Sequence, residues 1–352
     1  ETGMVNFNEK DYTNAIPAFK KVIADYPGSE ESNVALESLE TIFVEQNKVD
    51  EYLSYAKLLG RNVDNNLLAR EDSLSFTAAE KQYINANYES AISGLNSYIS
   101  KFCPGGKFCS VALYYLADSY YNTKDKINAL TAYNKLLSIP GNPNAEEAAM
   151  RSAEIAYDLK DYSSALSYFK KLQSLAQTTD NKNIARLGIL RCSLFLNNHP
   201  ETVKIATEII ADPKSSDDVK TEARLNRAKA YTEQNNLSEA LKDLKDIKID
   251  TRTSIGAEAK YMLSEVYFKL NRLNDAETEV LDFAKKNSPY QYWLARSFVV
   301  LSDVYIQKGD DFQAKQYLLS LQKNYSVNDD IQTKINERLK AIEIRSNKSI
   351  IN

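Results

Sequence analysis

One histidine serves the whole chain: His199, beside Pro200 in what reads as a turn. A solitary imidazole next to a proline has no evident nucleophile or orienting partner, so it is read as a turn histidine rather than a general base. No glycine-rich phosphate loop, HExxH or GxSxG run occurs, and the usual catalytic motifs are therefore absent. Carboxylates are plentiful, but they fall on amphipathic helical stretches, where they form solvated faces. Cys103 and Cys109 bracket the run CPGGKFC. Two thiols without a nearby histidine are too few for a closed zinc site, so neither metal nor cofactor is expected. A disulfide closes easily across a Pro-Gly-Gly turn and would contribute roughly 2–3 kcal/mol by chain entropy. An oxidising compartment favours that bridge, and a reducing one favours two free thiols. Cys192 lies within a helical stretch and reads as a small buried hydrophobe. These observations point away from an enzyme.

Composition narrows the classes further. The net charge of −4 leaves no basic face for nucleic acid, and no apolar run approaches the ~18 residues of a membrane span. Gly (10) and Pro (8) are about 5% of residues against an average near 12%, which favours long helices and short turns.

The elements that must position any functional group repeat. Residues 11–22 read DYTNAIPAFKKV and residues 161–172 read DYSSALSYFKKL, with identical residues at six of the twelve positions. Between and beyond them one small residue recurs: Ala15, Tyr52, Ala91, Ala129, Ala165, Val203, Ala240, Ala276 and Ala314, at steps of 36 to 39 residues. Twelve positions earlier stand Gly3, Glu40, Ala79, Ala117, Ala153, Arg191, Ala228, Ser264 and Ser302. Two antiparallel helices approach to about 8 Å only where facing side chains are small, so a paired small site in each unit predicts a helix A against a helix B. A period of this length marks a helical solenoid.

The pattern resembles the tetratricopeptide repeat over nearly the whole chain. The matching residues include Leu116-Ala117, Tyr120, Ala129 and Tyr133; Leu263-Ser264, Tyr267 and Ala276; Leu301-Ser302, Tyr305 and Ala314; and Gly3, Ala15, Phe19 and Pro27 in the first unit. The resemblance implies an all-α, right-handed superhelical solenoid of about nine antiparallel helix pairs, spanning residues 1–328. Units longer than the family's usual 34 residues predict longer connecting loops. Gly3 already occupies the small site of a first helix, so the chain is expected to begin inside a repeat, as a fragment of a longer protein. Helix A of later units is expected near 30–46, 72–86, 109–123, 145–159, 182–197, 217–234, 255–270 and 290–308. Residues 329–345, with Ile331, Ile335, Leu339 and Ile342 on one stripe, predict a capping helix, and 346–352 a frayed tail. Pro17 fits the first turn of its helix if Asn14 is the cap, and otherwise kinks it. The second unit (Glu40, Tyr52) and the sixth (Arg191, Val203) are poor copies, for which looser packing or a change of curvature is expected, with Ser193 a candidate for the small site of the sixth.

The resemblance also implies that helix A lines the concave wall and carries the partner site. Eleven before each anchor stand Glu80, Asp118, Glu154, Glu265 and Asp303, with Met4, Cys192 and Lys229 in the other units; eight before it stand Tyr83, Tyr121, Tyr157 and Phe268, with Phe7, Phe195, Thr232 and Ile306. Fifteen before it come Phe76, Tyr114, Met150 and Tyr261. Sets three residues apart share a helix face, so an aromatic ladder runs beside an acidic one. An extended segment presenting Lys or Arg would suit it through ion pairs and cation–π contacts of about 0.5–2 kcal/mol each; the same aromatics and carboxylates also suit inter-repeat core and a solubilised groove. The family's carboxylate clamp of Lys, Arg and Asn is not matched here, which argues against an acidic chaperone terminus as partner. The expected function is a non-enzymatic scaffold for a protein or extended peptide. Turns such as DYPGSEES at 25–32 resemble those of bacterial cell-envelope members, which implies a periplasmic or outer-membrane-associated setting with a leader or lipid anchor upstream. A cytoplasmic co-chaperone or regulatory adaptor, and an envelope protein gripping carbohydrate with its tyrosines, are the alternatives.

Overall fold

A computed structural model describes the backbone at residues 1–60 and 65–351, and the side chains of these residues except 65–68 and 347–351. Among the described residues there are α-helices and no strands. They form two units, Glu1–Lys160 and Asp161–Asn352. In the first, helices A and B alternate as α1 (Thr2–Asn8) and α2 (Tyr12–Asp25), α3 (Glu30–Glu45) and α4 (Val49–Leu58), and α5 (Asn65–Ile84) and α6 (Tyr88–Phe102). They continue with α7 (Cys109–Asn122) and α8 (Lys126–Leu137), and a last helix A, α9 (Ala145–Asp158). The second unit opens on a helix B, α10 (Tyr162–Leu175), followed by α11 (Thr179–Phe195), α12 (His199–Ala211), α13 (Asp217–Glu233) and α14 (Leu237–Lys245). Then come α15 (Ser254–Lys269), α16 (Leu273–Ala284), α17 (Gln291–Gln307), α18 (Asp311–Asn324) and α19 (Asp330–Ile351).

One backbone device turns every helix A into its helix B. The residue before each helix-B cap is left-handed: Lys10, Asn47, Ala86, Lys124, Lys160, Asn197, Asn235, Asn271 and Gly309. The amide after it reaches back to the last turn of helix A, as in Asp11 N to Asn6 O (2.8 Å) and Asp125 N to Tyr120 O (2.9 Å). This is a Schellman closure, which satisfies carbonyls that a helix end leaves unpaired. The same residue then caps helix B: the carboxylates of Asp11, Asp125, Asp161 and Asp310 accept the amides of Asn14, Asn128, Ser164 and Gln313. Each such cap stabilises its helix by about 1 kcal/mol.

The small sites are buried as expected in most repeats. Ala79, Ala117, Ala153, Ala228, Ser264 and Ser302 have no exposed surface, nor do Ala15, Ala91, Ala129, Ala165, Ala240, Ala276 and Ala314. Four residues after the anchor a large side chain fills the space between helices, as Phe19, Leu95, Tyr133, Phe169 and Leu318 do; burying one stabilises by roughly 1.5–3 kcal/mol.

The sixth unit differs. Its left-handed residue is Asn197 and its cap Asn198, which moves the anchor from Val203 to Thr202, fully buried. By the same spacing Leu190 stands at the small site, and Ser193 takes the position of Tyr120 and Tyr267. Arg191 is exposed and bonded to Glu222. The expected loosening is not seen at its seam with α10, where Gly188 lets the Phe169 ring lie against backbone: a Cβ there would come within 2.3 Å of it. Three further expectations change. Asp11, not Asn14, caps α2, so Pro17 lies inside that helix; His199 is the first residue of α12 rather than part of the turn. The last helix continues past 345 to Ile351, with Asn352 outside the described residues. Ile331, Ile335 and Ile342 of α19 are buried against Ala314 and Leu318, and the Arg338 guanidinium grips both oxygens of Asp303 at 2.7 Å.

Candidate functional site

In the first unit, α5, α7 and α9 present the polar helix-A positions. Glu80, Tyr83, Tyr114, Asp118, Tyr121, Met150, Glu154 and Tyr157 are all half-buried, and most are knitted to one another. Tyr83 donates its hydroxyl to Asp118 Oδ2 (2.9 Å), which also accepts from Asn122. Tyr115 donates to Glu80 (3.2 Å) and stacks on Tyr83 with centroids 4.2 Å apart. Burial first, and Asp118 second, push the Tyr83 phenol well above its ordinary pKa; burial and Glu80 raise that of Tyr115. Both phenols therefore stay neutral donors at physiological pH. On α9, Arg151 lies 4.9 Å from the centre of the Tyr121 ring and bonds Glu147 (2.9 Å) and Glu154 (3.2 Å).

The cation that suits a tyrosine–carboxylate pair is thus already supplied by the chain itself. The second unit repeats this: Arg296 lies 4.8 Å from the Tyr261 ring centre and donates to its hydroxyl at 2.6 Å. Two residues assigned to the partner wall are core instead. Phe76 is 4% exposed and stacked on Phe108 at 4.4 Å; Tyr261 is 4% exposed and stacked on Trp293 at 5.4 Å. Phe76, Tyr261, Tyr114 and Met150 all stand fifteen before their anchors, where the first two turn under a neighbour while Tyr114 and Met150 stay half-buried. Asp303 is committed to Arg338 of the capping helix. Glu265 and Phe268 remain half-buried, Glu265 loosely paired with Lys269 at 3.9 Å. In units six and seven the acidic position holds a base, Arg191 and Lys229, bonded to Glu222 and Glu258 (2.8 Å for the latter). Cys192 and Phe195 leave the ladder with the register shift; Cys192 is buried, and burial pushes its thiol up to about 11.

Tyr115, Glu147 and Arg151 were not singled out from sequence, although Arg151 sits four after Glu147 and three before Glu154, a spacing that brings side chains together on any helix. Cys103 and Cys109 are joined, with Cα atoms 5.6 Å apart, and the bridge ties the end of α6 to the start of α7. Among the described residues no cluster of three or more His, Cys, Asp and Glu could hold a metal, and no helix is long and apolar enough to cross a membrane.

The tetratricopeptide repeat family model matches residues 1–29 and 111–139. No curated protein matches the chain. Among solved structures it is similar to the C-terminal part of a TPR repeat-containing protein from Cytophaga hutchinsonii, at 14% identity and a TM-score of 0.51, over 74% of this chain and 98% of that one. It is also similar to a tetratricopeptide repeat protein from Parabacteroides merdae (15%, 0.43, 76% and 98%) and to PilW, a type IV pilus biogenesis factor (22%, 0.43, 64% and 97%). The recurrent helix pairs and the likeness to the Cytophaga protein show an all-helical repeat solenoid, and residues 1–29 and 111–139 match tetratricopeptide repeats.

Proposed function

We propose that the chain is a non-enzymatic scaffold that binds a protein, through an extended segment rich in Lys or Arg, on the helix-A face of its first unit. The observation that carries this is the half-buried row Glu80, Tyr83, Asp118, Tyr121, Glu154 and Tyr157, polar and aromatic beside the buried Ala79, Ala117 and Ala153 of the same helices. Residues 1–160 hold 22 Asp and Glu against 15 Lys and Arg, an excess that attracts a basic segment and suppresses an acidic one. A cell-envelope setting is part of the proposal. It is supported by the Cys103–Cys109 bridge, since such bonds persist in oxidising compartments, and by the envelope-like DYPGSEES turn.

The test is a photo-reactive amino acid at Met150 in the native host. Cross-linking to a partner is expected in the wild type and expected to fall by about 100-fold in the Glu80→Gln, Asp118→Asn, Glu154→Gln triple variant, at about 1 kcal/mol per contact. The neutral amides still accept from Tyr83 and Tyr115, so the melting temperature should hold. Undiminished cross-linking in the triple variant refutes the proposal.

A further inference from the structure

On the helix-A row of the first unit, one cation of the chain itself stands where a partner's cation would go. The Arg151 guanidinium carbon lies 4.9 Å from the centre of the Tyr121 ring, and Nη1 approaches the Tyr121 hydroxyl at 3.4 Å. Nε donates to Glu147 Oε1 (2.9 Å) and Nη1 to Glu154 Oε2 (3.2 Å). One side chain thus joins a ring of α7 to two carboxylates of α9. The side chains of Arg151, Glu147 and Glu154 keep 30%, 35% and 40% of their surface exposed, so the contact lies open to solvent. Lys124 meets the same ring only at 6.0 Å, the limit of a cation–π contact. The second unit supplies the contrast. Arg296 lies over Tyr261 in a similar way, but that ring is 4% exposed, and the arginine there closes a core. Tyr121 is half-buried, so Arg151 covers a surface that a partner can reach.

We infer that Arg151 is an internal occupant of the binding face, an autoinhibitory contact that a basic segment must displace from Tyr121 and Glu154. The inference rests on the helix-A binding face and adds a threshold to it. Two cations cannot share one face of one ring, because their charges repel at that distance. Once displaced, Arg151 keeps Glu147, its neighbour at i−4, so its charge is not stranded. The contacts it gives up are those of a solvent-exposed pair and are individually weak, which lets a segment with several linked cations offset them through its other contacts. A single lysine or arginine has no such surplus. The face therefore selects for a run of basic residues over an isolated one.

The experiment titrates the full chain by calorimetry with acetylated, amidated Arg-Ala-Ala-Arg-Ala-Ala-Arg, and with the same peptide carrying neutral citrulline for arginine. Arg151→Met keeps an apolar stem over the ring and removes the charge; it is expected to bind the arginine peptide about fivefold tighter than the parent. Lys126→Met removes the same charge from an ion pair with Asp158 of α9 (2.8 Å) and should gain less than about twofold, because exposed charges are screened. Arg151→Lys retains a cation for the ring and should stay within about twofold of the parent, and the citrulline peptide should gain nothing in any variant. Equal gains in Arg151→Met and Lys126→Met overturn the inference, since net charge alone would explain them. Weaker binding by Arg151→Met also overturns it, because Arg151 would then be a contact of the partner. The Glu80→Gln, Asp118→Asn, Glu154→Gln variant separates the two readings. If it loses the arginine peptide while Arg151→Met gains nothing, the occupant falls and the binding face stands. If it binds as tightly as the parent, or if neither the parent nor Arg151→Met binds, the binding face falls and the occupant with it.

Discussion

Replacing Gly188 by alanine sets helix propensity against packing, and the structure decides which prevails. In an open helix interior the change stabilises by about 1 kcal/mol. Here the new methyl would sit 2.3, 2.4 and 2.4 Å from Cδ1, Cε1 and Cγ of Phe169, far inside the ~3.5–4.0 Å of ordinary carbon contact. The ring is 6% exposed and must retreat by about 1 Å or more into a packed seam. Overpacking of this kind costs about 3 kcal/mol at the upper end of its usual range, so a net loss of about 2 kcal/mol is expected. For a unit of this size that is a fall of roughly 4–8 °C in melting temperature, read by far-ultraviolet circular dichroism. A double-mutant cycle isolates the cause: in a Phe169→Leu background, with no ring to strike, the same alanine should be neutral or stabilising, a coupling of about 2 kcal/mol. A Gly188→Ala protein that melts at or above the parent temperature would refute the reasoning, because propensity would then outweigh the seam.

Ala86→Gly should stabilise the first unit by about 0.5–1 kcal/mol, because Ala86 is held at φ 58, where a Cβ clashes with its own carbonyl; an unchanged denaturation midpoint would contradict this. Cys103→Ser with Cys109→Ser should cost roughly 2–3 kcal/mol for so short a loop, seen as a lower melting temperature that reducing agent no longer affects. Lys260 is 8% exposed, and its ammonium reaches Asp282 at 2.6 Å, holding that carboxyl below the usual range. With its folded pKa depressed, Asp282 contributes stability above its unfolded value of about 3.9 and loses it as pH falls through the folded value. Lys260→Met should raise the Asp282 midpoint, followed by carboxyl ¹³C NMR, and flatten the acid limb of stability between about pH 5 and 3; an unmoved midpoint would exclude the pairing.

Much of the fold was legible in the sequence because its signals are local. The small residues on helix A and helix B recur at a fixed spacing, and the helices expected at 109–123 and 145–159 are found at 109–122 and 145–158. Where one residue of turn shifted, at Asn197, the anchor list slipped from Thr202 to Val203 and carried Cys192 and Phe195 with it. Val203 is as plausible an apolar anchor as Thr202, and only backbone geometry separates them.

The site was legible in outline only. Helical spacing alone puts Glu80, Tyr83, Asp118 and Tyr121 on shared faces, since 3.6 residues per turn is a property of a single helix. Whether a position on such a face meets solvent, a ring or a cation depends on side chains from the next helix A, some 30 to 37 residues away in the chain. Tertiary packing alone buried Phe76 under Phe108 and Tyr261 under Trp293, laid Arg151 on Tyr121 across two repeats, and enclosed the Tyr133 hydroxyl without a partner. The period of one helix determined which residues stand side by side; the distance between helices decided which of them a partner can reach.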